Sequence, residues 1–203
     1  MVDAGMYHEF ECEIEDQETN GIIKPQEHWN AKHKPVKLLG YELLEEKNVP
    51  DSSSEVIFNN LDDFSIDEFL LEYDVITNPT SVTSYLSTYI NSVSGLTVKA
   101  TGHIVHSSAG GHGIDNLAKA ALGRNSWVQS HIFKGKCIIQ KLNSNYAVII
   151  GSSVCISTDY WSRWDYSSTT SLSSAIESLI IKADNGTFNG ILRLWKKLPL
   201  NIE

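Results

Sequence analysis

The chain has 203 residues, 41% hydrophobic and 20% charged, with 13 Gly, 5 Pro and 3 Cys. That balance excludes a disordered, collagen-like or disulfide-scaffold chain and is enough for a sizeable core, in one domain or two small ones. The formal charge of -9 is unevenly spread: residues 1–97 hold 5 basic and 19 acidic side chains, net -14, and the remainder holds 11 basic and 6 acidic, net +5. Nucleic-acid binding needs clustered Lys and Arg, so the first half suits a basic protein partner or simple solvation, and the second half is the candidate anion binder.

The opening Met1-Val2-Asp3-Ala4-Gly5 has neither a basic nor an apolar leader segment, and no apolar run approaches the roughly 18 residues of a membrane span. The expectation is a protein without a membrane span or export signal that acts in a cytoplasm or is delivered into one. Cys12, Cys137 and Cys155 leave at least one thiol unpaired, which fits a reducing compartment, and none has zinc-site spacing.

In chain order, Tyr7 to Ile14 alternates apolar and acidic residues, the period-2 pattern of a half-exposed strand, and Lys37 to Leu44 and Glu55 to Phe58 are further strand candidates. After the spacer Asp51 to Ser54, Ser65-Ile66-Asp67-Glu68 has the capping-box spacing and predicts a short helix with Phe69 and Leu70 inward. Asn78-Pro79-Thr80 then opens a second predicted helix, with Val82, Tyr85, Leu86, Tyr89 and Ile90 in one stripe and Ser94-Gly95 at its end. A third helix is expected over Ile114, Leu117, Ala118, Ala121 and Leu122, with Gly110-Gly111-His112-Gly113 before it and Gly123 as its C-terminal cap.

From Trp127 the pattern becomes strand-like: Trp127 to Phe133, Cys137 to Leu142, Tyr146 to Ile150 and Val154 to Thr158. The short separators Lys134-Gly135, Asn143-Ser144-Asn145 and Gly151-Ser152 predict an antiparallel meander. Ser174 to Glu177 offers a last capping box, with Ile176, Leu179 and Ile180 as the helix face. Asp184-Asn185-Gly186 reads as a turn, and Ile191 to Trp195 as an edge strand closing the sheet. The fold class expected is α+β: an acidic N-terminal subdomain of mixed strands and helices over 1–97, a docking or specificity module, then a helix packed on an antiparallel meander over 98–203.

Candidate chemistry gathers in the second half. Of seven histidines, His103, His106, His112 and His131 lie close in sequence, three of them around the Ser/Gly-rich loop from Ser107 to Gly111. Two imidazoles facing one substrate can serve as general base and general acid, as RNA cleavage through the 2'-hydroxyl requires. Gly111, His112 and Gly113 precede the predicted helix, where free N-H groups would favour a phosphate. Lys134 and Lys136 could supply a cation to stabilise the charged phosphorane, Thr158 and Tyr160 hydroxyl donors, and Trp161 and Arg163 a surface on which bases stack. Each feature has a plainer reading: histidines bonded locally in a strand, lysines protecting a turn, aromatic residues packed under a loop. Metal binding competes for clustered histidines, but no His-x3-His or Cys pair accompanies them, so no metal site is expected.

His103-Ile104-Val105-His106, Gly110-Gly111-His112 and the segment ending Ser157-Thr158-Asp159-Tyr160 resemble the catalytic region of EndoU-like endoribonucleases, in the wider barnase and EndoU group of RNases and bacterial toxins. The resemblance covers residues 102–160. It implies cleavage of single-stranded RNA to 2',3'-cyclic phosphate ends without a required cofactor, with manganese at most stimulatory. It also implies His103 and His112 as the acid-base pair, with His106 a rival for either role, and a lysine and the Thr158/Tyr160 region supporting phosphate and base. The rival expectations are a non-enzymatic acidic binding protein of inhibitor or immunity type for a basic partner, and a viral or structural assembly protein.

Overall fold

The computed structural model describes residues 37–38, 40–62, 67–81, 84–91, 98–106, 112–117, 120–125, 130–156, 161–172 and 174–198, with the backbone alone for 37–38, 98–106, 112–117 and 125. The chain divides into two compact units, 1–36 and 37–203, and every described residue belongs to the second. The strand expected at Tyr7 to Ile14 lies outside the described residues.

The strands are β1 (Lys37–Leu38), β2 (Tyr41–Ser53), β3 (Glu55–Phe58), β4 (Glu68–Pro79), β5 (Ser84–Ile90), β6 (Val98–His106), β7 (His112–Leu117), β8 (Ala120–Asn125), β9 (His131–Asn143), β10 (Tyr146–Ile156), β11 (Trp161–Ser171), β12 (Leu179–Ala183) and β13 (Gly186–Lys197). They form a nine-stranded antiparallel sheet, β1-β2-β13-β4-β9-β10-β11-β6-β7, and a four-stranded one, β3-β12-β5-β8. The two sheets enclose one core that includes Phe58, Phe69, Leu122, Phe133, Ile139 and Phe188. Strands from the two expected subdomains, 1–97 and 98–203, are hydrogen-bonded together: β4 to β9 and β5 to β8.

The α+β expectation is corrected: the described residues contain no α-helix. The stripe from Tyr85 to Ile90 has helical spacing, but the structure makes it strand β5, with Leu86, Thr88 and Ile90 buried. Tyr, Thr and Ile favour a pleated, half-buried surface, and partners on both edges override the local periodicity. Ile114 to Leu122 likewise divides into β7 and β8. Gly123, expected as a helix cap, lies within β8, where a Cβ would come 2.4 Å from the Phe133 ring, so its role is close approach between sheets. Phe69 and Leu70 belong to β4 rather than a helix, and residues 174–178 lead irregularly into β12, with Leu179 and Ile180 in that strand.

The meander is present in β9, β10 and β11, in fewer and longer strands than expected. Ser144-Asn145 turns the chain as read, whereas Lys134-Gly135 and Gly151-Ser152 lie inside β9 and β10. Gly135 persists there because Tyr73 crosses it: a Cβ would stand 2.5 Å from the Tyr73 hydroxyl. That hydroxyl donates to the Leu122 carbonyl at 3.0 Å, so the Tyr166 hydroxyl, 3.2 Å away, donates to Tyr73. Trp164 Nε1 donates to the Ala121 carbonyl at 2.8 Å. These bonds tie β8 to the large sheet and satisfy polar groups that burial would otherwise penalise. Ile191 to Trp195 is a strand, but β13 lies between β2 and β4 rather than at an edge.

Candidate functional site

In an antiparallel sheet packed on one side, alternation should place apolar residues inward and polar residues toward water. Strands β9 and β10 depart from this rule. Their inward positions are apolar or small, including Phe133, Cys137, Ile139, Ala147, Ile149 and Cys155, yet Ile132, Ile138, Ile150, Val154 and Ile156 on the opposite face are exposed. The register aligns that outer face across four strands. Ile76, Ile132, Ile156 and Trp161 share one rung. The next two outward rungs are Asp74, Lys134, Val154, Arg163 and Glu72, Lys136, Ser152, Asp165, and the fourth is Leu70, Ile138, Ile150, Ser167. Two apolar rows therefore flank a charged belt.

The belt is partly self-neutralised. Lys134 Nζ lies 2.7 Å from Asp74 Oδ2, and Arg163 Nε lies 2.9 Å from Asp165 Oδ1, both pairs well exposed. Glu72 Oε2 accepts from Trp195 Nε1 at 2.9 Å. Lys136 makes no ion pair among the described residues. Between these groups lies an open concavity of about 480 Å³, lined by Lys134, Lys136, Arg163, Glu72, Ser152 and Val154, with Gly135 and Ser153 at its floor. At the flank, Glu68 receives hydrogen bonds from Lys197, at 2.8 Å, and from Tyr41. Burial works against its charge, but these bonds and the Lys197 charge outweigh it and hold the carboxyl below its usual range. Burial, with Glu68 alongside, pushes the Tyr41 hydroxyl up to about 12.

Four of the residues singled out from sequence meet on this face: Lys134, Lys136 and Arg163 line the concavity, and Trp161 ends the apolar row beside Arg163. His103 pairs with Asp165 and Gly113, on the rung that continues through Ser152 to Lys136. His112 pairs with Ile104 on the adjacent rung, and adjacent rungs belong to opposite faces of a sheet. His106 pairs with Ser162. Gly111, Thr158 and Tyr160 lie outside the described residues. His131 is buried at the start of β9, its ring centroid 6.4 Å from that of Phe133. Among the described residues, no group of three His, Cys, Asp or Glu side chains is arranged to hold a metal ion, and no helix is long and apolar enough to cross a membrane.

Sequence reasoning missed the apolar outer rows. Their signal was present in the adjacent pairs Ile138-Ile139 and Ile149-Ile150, which supply apolar residues to both faces of one strand. Residues of the acidic half, Glu72, Asp74 and Ile76, complete the face from β4. No family model, curated protein or solved structure matches the chain.

Proposed function

We propose that the protein is a non-catalytic interaction and assembly module that binds a protein through the outer face of β4, β9, β10 and β11. The observation that carries this reading is the location of the exposed large hydrophobic residues: all nine among the described residues lie on these four strands, seven of them in the rungs described above. Exposed apolar rows of this extent mark a protein-binding face, and they cost solubility unless they are covered. The reading assigns the protein to a cytoplasm, in which the buried thiols Cys137 and Cys155 remain reduced. Lysine cross-linking in a native lysate, followed by mass spectrometry, tests it. Cross-links to protein should concentrate at Lys134 and Lys136 and disappear in an Ile132→Glu, Ile156→Glu double variant. Cross-links that persist in that variant reject the face.

A second reading, a histidine-dependent endoribonuclease, is favoured by the meeting of Lys134, Lys136 and Arg163 in one concavity, with His103 on the Lys136 rung. Incubation with single-stranded RNA, in EDTA and in manganese, should then yield cyclic phosphate ends that are lost in His103→Ala and Lys136→Ala. Intact RNA in both conditions rejects it.

A further inference from the structure

Resting on the interaction reading, we propose that the partner of this face is a second copy of the chain, packed sheet to sheet about a two-fold axis that runs parallel to the strands between β9 and β10. The face has the size a stable dimer needs. Four strands about 4.8 Å apart and five outward rungs about 6.7 Å apart, the four above and a fifth of Glu68, Gln140, Val148 and Thr169, span about 20 Å by about 30 Å, a corrugated surface comparable with the roughly 800 Å² per partner of a standard interface.

The charge pattern selects the axis. A two-fold parallel to the strands sets each rung over the same rung of the other copy, β4 over β11 and β9 over β10. Ile76 then meets Trp161, Ile132 meets Ile156 and Ile138 meets Ile150, so apolar rows cover apolar rows. In the charged belt, Asp74 of each copy meets Arg163 of the other, twice per dimer by symmetry. Lys136 lies over Ser152, one strand from Asp165, and so stands beside the one like-charge contact, Glu72 with Asp165. An axis perpendicular to the strands would instead set Asp74 over Glu72 and Lys134 over Lys136, two kinds of like-charge contact, against one complementary contact, Arg163 over Asp165. Aligned face-to-face packing is also the ordinary way one antiparallel sheet covers another.

Sedimentation velocity on the purified full chain tests the proposal. The expected result is a dimer that dissociates on dilution. Asp74→Arg alone and Arg163→Asp alone should each weaken it on the order of a hundredfold, because each creates two like-charge contacts per dimer. An equimolar mixture of the two variants should restore a dimer, since both cross-contacts become complementary again. Both side chains are about half exposed, 47% and 59%, so the variants should fold, as circular dichroism would verify. A monomer at every concentration, or a dimer indifferent to these substitutions, or one not restored by mixing, overturns the proposal. If the chain is monomeric while the lysate cross-links at Lys134 and Lys136 still depend on Ile132 and Ile156, the partner is a different protein and the interaction reading stands. If those cross-links are absent as well, both fall.

Discussion

The outer surface of the large sheet has two different characters. On the β2–β13 wing, charges are matched across strands: Arg193 Nε lies 2.6 Å from Glu46 Oε2, and Lys197 Nζ lies 2.8 Å from Glu68 Oε2. On β9 and β10, the same surface carries Ile132, Ile138, Ile150, Val154 and Ile156 with no covering element described. The wing is built to face water, because its paired side chains cover the strands with polar groups. The centre is built to be covered, because each exposed isoleucine there forgoes the transfer free energy that burial would provide. A single sheet thus holds a solvated region and a docking region, and the boundary runs along β4, whose outward residues Glu72 and Asp74 serve both.

That contrast can be broken most severely from within. Phe133 and Ile132 are neighbours on β9 with opposite burial, 0% against 38% exposed. Phe133→Ala should cost about 3–5 kcal/mol, by opening a cavity beside Gly123. Ile132→Ala in the dissociated chain should change stability by less than about 0.5 kcal/mol. Urea unfolding of both variants at low protein concentration gives the comparison, and similar losses would mean that Ile132 is covered within the monomer.

A smaller effect follows from the buried thiols, which burial pushes up to about 12 from an ordinary value of 9.0. The folded state accepts only the neutral thiol, whereas the unfolded chain ionises above about pH 9. The thiol contribution is therefore fully present below about pH 9 and is lost as the pH rises toward about 12. Buried Tyr73 and Tyr166, also raised by desolvation, act in the same direction. Unfolding midpoints should fall through this range, and Cys155→Ala should make the fall shallower. The smallest effect belongs to the wing: Arg193→Ala, which removes a pair exposed at both ends, should cost no more than about 1 kcal/mol and should fade with added salt.

Parts of this architecture were legible in the residues. The strand character of β9, β10 and β13 followed from short apolar runs set between polar or Gly-containing separators, and the turn at Ser144-Asn145 and the bend before Gly186 followed from Asn and Gly chemistry. The sequence singles out the belt cations Lys134, Lys136 and Arg163, although it places the lysines at a turn and reads Arg163, with Trp161, as a base-stacking surface. The acidic half of the same belt was assigned to a separate subdomain, because only the pairing of β4 with β9 brings Glu72 and Asp74 to Lys136 and Lys134.

The sequence by itself determined that there was enough apolar material for a core, that Cys137 and Cys155 sit among apolar strand residues, and that the chain reverses direction after Asn143. These are properties of composition and of neighbours within a few residues. Only the tertiary structure decided that Ser84 to Ile90 and Ala120 to Asn125 are strands, since their spacing is compatible with either period and pairing across the sheet made the choice. It also decided which of two apolar faces of β9 and β10 is core. Both carry isoleucines, and the small sheet can cover only one of them, leaving the other exposed in the single chain.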